Sequence, residues 1–225
     1  MILYQLTSDG EMNFEHIYDK SPWIDKDFEN GKQIIELDPP RFFKTHLNYN
    51  CFPKRFDAKF ICVIRNGMDV AVSQYHQLLD FRVPVSFDQS FKNYFLNKNK
   101  SKNWFYYTRN WLANKKEYNI LYIRYEDLKN DFQGTLYKIA DFCNIEMKEE
   151  NLPRIIESCS FEYMKKYEEK FIPERNGYKP GDFIRKGKSG QGKKMFSKEL
   201  TMLYKNEFDK HLSKFEILRD YYPAD

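Results

Sequence analysis

Two segments far apart in the chain carry residue types suited to holding a phosphate group. In the first, Arg65-Asn66-Gly67-Met68-Asp69 comes after the apolar run Phe60–Ile64 and leads into a helical pattern that reaches Ser73. An arginine at a strand end offers a planar fork that grips two phosphate oxygens, and a helical hydroxyl adds a further bond. The second, Phe183-Ile184-Arg185-Lys186-Gly187-Lys188-Ser189-Gly190, sets Arg and Lys among glycines. Backbone N–H groups there can close on an anion that the side chains hold. Together they describe a pocket for a dianion. Singly, each has a plainer reading: a solvated basic turn, or an arginine that pairs with a carboxylate. A third segment, Lys44-Thr45-His46-Leu47, ends a short strand pattern with an imidazole. Ligands of α/β proteins bind at such strand ends, and an imidazole there can take a proton from a hydroxyl. By residue type alone His46 is equally a structural or surface histidine, and Lys44 an exposed lysine. His16, His76 and His211 stand in no motif and read as structural.

These groups need elements to position them. Three short strands are predicted, Arg41–His46, Phe60–Arg65 and Ile120–Tyr125, the last two apolar enough to be covered on both faces. Helical patterns cover Met68–Leu79, Trp104–Lys116, Phe132–Cys143, Glu149–Cys159 and Lys198–His211, with Asn130-Asp131 placed to cap the third. Strand–helix–strand alternation predicts an α/β fold with a parallel sheet and right-handed crossovers. Tyr167–Met195, rich in Gly, Lys and Pro, reads as a long loop and a lid.

Composition narrows the class. The 225 residues suffice for one domain with a sizeable core, and 41% hydrophobic with 18% aromatic residues exclude disorder. Mean hydropathy of −0.78 and the lack of an apolar run near helix-spanning length argue against a membrane span. A net charge of +4 with dispersed lysines implies no nucleic-acid partner but accommodates a small anionic ligand. Cys51, Cys62, Cys143 and Cys159 lack metal-site or disulfide spacing and read as reduced, buried residues of a cytoplasmic protein.

The ordered motifs resemble those of the PAPS-dependent sulfotransferases, in particular the cytosolic type and its bacterial relatives. That family carries R-N-x-x-D-x-x-x-S, matched at Arg65, Asn66, Asp69 and Ser73, and R-K-G-x-x-G near its C-terminus, matched from Arg185 to Gly190. Lys44-Thr45-His46-Leu47 is similar to its K-T-H-L-P, Tyr125-Glu126-Asp127-Leu128 to its Y-E-D-L, and Ser160-Phe161-Glu162-Tyr163-Met164-Lys165 to its S-F-x-x-M-K. The resemblance implies a three-layer fold around a central parallel sheet of the P-loop nucleotide-kinase type. It implies a sulfuryl group moved from PAPS (3′-phosphoadenosine 5′-phosphosulfate) to a hydroxyl of a small acceptor, releasing PAP without a metal. His46 is then the general base, helped by Lys44. Arg65 and Ser73, joined by Arg185, Lys186 and Gly187, serve the 3′-phosphate. Tyr125 meets the adenine, and Ser160 and Phe161 the nucleoside. Asp69 orients or caps, and Glu126 and Asp127 fix the turn after their strand.

Departures accompany the match. The family's phosphosulfate loop, Y-P-K-S-G-T-T-W, has no counterpart in the sequence, and Met1 to Trp23 resembles the family segment on the C-terminal side of that loop. Residues 1–225 are therefore expected to be a single sulfotransferase domain that is N-terminally incomplete, its first strand and phosphate loop missing. Gly67 replaces a usual Pro or Ala, an expected loosening of the helix entrance, and Gln191-Gly192 replace Asp-Trp, an expected weakening of the lid's packing. The family's C-terminal dimer segment is poorly matched at Lys193–Met202. Aromatic residues in Phe14–Trp23, Leu79–Phe87 and Tyr167–Tyr178 point to an apolar or phenolic acceptor. A PAP/PAPS-binding relative without catalysis is the alternative; a nucleotide kinase is disfavoured because G-x-x-x-x-G-K-[ST] is absent.

Overall fold

Side-chain caps decide where most helices begin. In a computed structural model, which describes residues 1–29, 31, 37–54, 57–99, 103–173 and 183–223, the chain forms thirteen regular elements joined by short 3₁₀ turns. In order they are α1 (Ile2–Thr7), α2 (Ile24–Glu29), β1 (Lys59–Ile64), α3 (Gly67–Asp80), α4 (Phe87–Phe95), α5 (Trp104–Ala113) and β2 (Asn119–Arg124). Next come α6 (Tyr125–Asn130), α7 (Phe132–Cys143), α8 (Leu152–Ser158), α9 (Phe161–Lys166), α10 (Gly192–Met195) and α11 (Lys198–His211). Asn66, Asn103, Asp131, Ser160 and Ser197 each accept a first-turn N–H, and Ser86 forms a capping box with Gln89 ahead of α4. Asn114 and Asn144, both left-handed, end α5 and α7.

The chain divides into two compact units. One comprises Met1–Leu47 and Asp131–Gly187, the other Asn48–Asn130 and Lys188–Asp225. In the second, β1 and β2 pair in parallel with Lys59 opposite Asn119 and Ile64 opposite Arg124. Its core gathers Ile64, Met68 and Ala71 with Phe91, Phe95 and Phe105 and with the inner face of α11, Leu200, Tyr204 and Phe208. In the first unit, α1 packs on α7 and α8 around buried Leu6, Leu136, Ile139 and Ile155. A satellite cluster of Phe14, Ile17 and Phe171 receives Phe183 and Ile184.

The parallel α/β organisation agrees with the sequence reading, and α7 and α11 have the expected bounds. Three details differ. Arg41–His46 is no strand: it makes one isolated bridge, Lys44 to Trp23, because Pro39 and Pro40 precede it and cannot donate to a ladder. The strands are not covered on both faces. Ile64 and Ile123 are buried, but Val63 is 53% exposed, and β1 has β2 as its one ladder partner among the described residues. Cys51 is exposed at the end of a 3₁₀ turn whose buried residue is Tyr49, while burial pushes the Cys62 and Cys159 thiols up to about 12. Part of the expected lid, residues 174–182, lies outside the described residues, as does part of the loop reading for Tyr167–Tyr178. Among the described residues no helix is long and apolar enough to cross a membrane, and no group of three or more His, Cys, Asp or Glu could hold a metal ion.

Candidate functional site

In the second unit the first phosphate motif and the end of the second come together. The in-register strand ends bring Arg65 beside Tyr125, the next residue after each strand, and the guanidinium carbon lies 4.5 Å from the tyrosine ring centroid. Arg65 Nη2 donates to the Lys188 carbonyl at 3.3 Å, and Nε is buried with no partner among the described residues. Asp69, 3% exposed in the first turn of α3, accepts from the Gly192 N–H at 2.8 Å through Oδ1 and from the Gly190 N–H at 2.7 Å through Oδ2. Carboxylate bonds of this kind are charge-assisted, so Asp69 clamps the glycine loop onto the helix. The orienting role expected of Asp69 agrees with these two bonds. Ser73 lies about one turn on and is exposed on α3.

Both expected loosenings are corrected by the packing. A Cβ on Gly67 would sit 2.5 Å from the Trp104 ring and 2.6 Å from the Tyr204 hydroxyl oxygen. One on Gly192 would sit 2.4 Å from Met68 Cβ and 2.8 Å from its backbone carbon. Each glycine is thus demanded by close approach. Gly192→Ala is expected to destabilise the protein by roughly 1–3 kcal/mol, the scale of overpacking a filled site. Chemical denaturation would check it, and an unchanged midpoint would contradict the contact.

Past Tyr125, Glu126 accepts a short hydrogen bond from the Tyr221 hydroxyl, and Arg124 pairs with Asp220 at 2.8 Å. These groups line a cavity of about 530 Å³ together with Asn66, Asp69 and Lys193. Arg124 is already committed to a carboxylate there. Glu126 and Asp127, the latter 4.0 Å from Arg124, stand in the first turn of α6, into which β2 runs directly, rather than in a separate turn.

The first unit carries the other groups. Gly187 has φ +57°, and a Cβ on it would meet the Phe161 ring at 2.5 Å. The tail of the basic motif therefore lies flat on that ring. Lys165 holds the stretch of loop before it, donating to the Ile184 carbonyl at 2.7 Å and to that of Arg185 at 3.4 Å. Buried Glu168 accepts a short hydrogen bond from the Ile184 N–H. Arg185 is half-buried and Lys186 exposed. Ser160 uses its hydroxyl oxygen to cap α9, accepting from the Tyr163 N–H at 3.1 Å. Gly187→Ala meets both the ring and a left-handed backbone, and is expected to distort this loop, and so to weaken PAP binding if the loop holds that ligand, more than it lowers global stability. PAP titration of the variant would check this.

His46 and Lys44 meet the same indole. The Lys44 ammonium lies 4.0 Å from the Trp23 ring centroid, and the exposed His46 ring lies edge-on at 4.8 Å. Asp25 Oδ2 accepts from the His46 backbone N–H at 2.8 Å and from Trp23 Nε1 at 2.9 Å. Burial pushes the Asp25 carboxyl up, but hydrogen bonds from His46, Trp23 and Thr45 outweigh it and hold it below the usual carboxylate range. Sequence reasoning missed Trp23, Asp25 and Glu168, for which no motif speaks; Lys165 was legible as the last residue of S-F-x-x-M-K. The other histidines are structural where described. His16 accepts from the Tyr18 N–H through Nδ1 and lies 2.9 Å from the Ile172 carbonyl through Nε2, and burial lowers the His211 pKa beside Arg109 and Glu207.

The family model for the sulfotransferase domain matches residues 2–216. The chain belongs to the sulfotransferase family. It is 32% identical over 209 residues to sulfotransferase 1E1 of Cavia porcellus, covering 87% of this chain and 69% of that one. To the 3-beta-hydroxysteroid sulfotransferase of the same animal it is 32% identical over 203 residues, covering 86% and 69%. An amine sulfotransferase of Oryctolagus cuniculus is 29% identical over 217 residues, covering 88% and 70%. Among solved structures, mouse sulfotransferase SULT7A1 complexed with PAP superposes with a TM-score of 0.69 at 24% identity, covering 88% of this sulfotransferase and 72% of that chain. A retinol dehydratase in complex with androsterone and PAP superposes with a TM-score of 0.75 at 20% identity, covering 96% and 76%. These likenesses establish the sulfotransferase fold.

Proposed function

We propose that the chain transfers a sulfuryl group from PAPS to a hydroxyl of a small molecule and releases PAP. The acceptor oxygen attacks sulfur, the bond from sulfur to the bridging 5′-phosphate oxygen breaks, and His46 takes the acceptor's proton. Lys44 steadies charge during the transfer. Positioning and cationic stabilisation supply most of the acceleration in the related phosphoryl case, and the same terms apply here. Arg65 and Ser73, with Arg185, Lys186 and Gly187, serve the 3′-phosphate. Tyr125, Ser160 and Phe161 serve the nucleoside, and no metal takes part.

One observation carries this reading: Asp69 and Arg65 bind the backbone of Lys188, Gly190 and Gly192, so the first segment that reads as phosphate-holding is joined to the end of the second. Support also comes from relatives whose names specify steroid and amine sulfotransferases, and from a fold neighbour holding PAP. A cytoplasmic location and an apolar or phenolic acceptor belong to the same proposal, the latter on the aromatic content around Trp23. Radiolabelled donor offered with phenols, steroids, sugars and amines tests it. Label on a hydroxyl acceptor is the expected result; PAP binding without transfer to any acceptor would favour a nucleotide-binding relative instead.

A further inference from the structure

The Asp25 carboxylate reaches no phosphate motif, yet it organises the ground beneath both proposed catalytic side chains. Its Oδ2 takes two N–H donors at once, the His46 backbone at 2.8 Å and the Trp23 indole at 2.9 Å. The His46 imidazole packs edge-on to that indole at 65°, and the Lys44 ammonium lies over the same ring. The bridge between Trp23 and Lys44, with the Lys44 N–H donating to the Pro22 carbonyl at 2.9 Å and the Ile24 N–H to the Lys44 carbonyl at 3.1 Å, locks the two backbone segments together. His46 is exposed and stands outside any regular element. Its ring is therefore held from two sides: a backbone anchor at its own N–H and a wall at its edge, both converging on Asp25.

We propose that Asp25 is a positioning residue for His46, acting through the backbone hydrogen bond and through Trp23 without touching donor or acceptor. The proposal rests on the reading of His46 as general base. A misplacement near 1 Å can cost about 100-fold in rate, so a partial loosening of the ring corresponds to roughly 10-fold. The carboxylate is ionised throughout the neutral range, which leaves proton transfer to the imidazole.

Turnover of Asp25→Ala measured in the native and the His46→Ala backgrounds tests this. The expected result is a loss of about 10-fold in kcat with His46 present, little change in PAP affinity, and no further loss once His46 is gone. Equal losses in both backgrounds would overturn it. Asp25→Asn, which keeps an acceptor oxygen in place, should recover most of the activity. Trp23→Phe, which keeps a ring beside His46 but drops the donor, gives the same comparison if Asp25→Ala does not fold. A second readout needs no turnover: the His46 ring proton resonance, assigned by its disappearance in His46→Ala. It should lose its indole-induced shift in Asp25→Ala, and an unmoved resonance would overturn the proposal. If His46→Ala instead leaves turnover intact, the base reading fails while the resonance still decides whether Asp25 holds the ring.

Discussion

Replacing His46 by alanine should lower turnover by at least about 100-fold, the lower end of what a positioned general base contributes. PAP affinity should stay close to that of the native protein, because the groups proposed to hold phosphate are other residues. The imidazole is exposed, edge-packed on Trp23 and anchored through its own backbone. The pH dependence is set by its neighbours. Asp25 is held below the usual carboxylate range, so its stabilising bonds are complete above that range and fade only as pH falls through its lowered value. An ordinary imidazole changes charge between about pH 5 and 8, and an acid limb of the rate in that range that disappears in His46→Ala, read from rate against pH, would identify the base. Near-normal turnover of the variant would move the base elsewhere.

Arg65→Ala should weaken PAP binding by about 10- to 100-fold, since one charge-assisted contact contributes about 1.5–3 kcal/mol and each 1.4 kcal/mol is tenfold. Arg65→Lys should recover little, because a point charge cannot reproduce a two-oxygen grip from a guanidinium lying on Tyr125. Arg124 supplies the control. It is a strand-end arginine as well, but its guanidinium is paired with Asp220, and Arg124→Ala should leave PAP affinity nearly unchanged. Calorimetric titration of the three variants separates the outcomes. Equal losses at both arginines would mean that the effect is general basicity rather than a site.

The motifs were legible because each is local. Arg65 to Ser73 is one strand end and one helix, read directly from an apolar run that leads into a capped helical period. The capped helices α7 and α11 were legible for the same reason. What Asp69 binds was not visible in the sequence: two glycine N–H groups more than a hundred residues later, a pairing that no spacing encodes. The glycines at 67 and 192 misled for a related cause. Read against a family pattern they were losses, whereas the Trp104 ring and Met68 fill the space that larger residues would need. Trp23 and Asp25 form no motif, and their importance lies in side-chain geometry around Lys44 and His46. The strand expected at Arg41–His46 reduces to a single bridge to Trp23, and the signal against it was the Pro39-Pro40 pair before it, which cannot donate to a ladder.

Calorimetric titration of the native protein with PAP and with 5′-AMP puts the 3′-phosphate assignment to its sharpest test. PAP binding at least about tenfold tighter, with the preference shrinking in Arg65→Ala, is the outcome expected of basic segments that serve that one ester. Equal affinities for the two nucleotides would contradict the assignment and remove the basis for reading the chain as a user of PAPS.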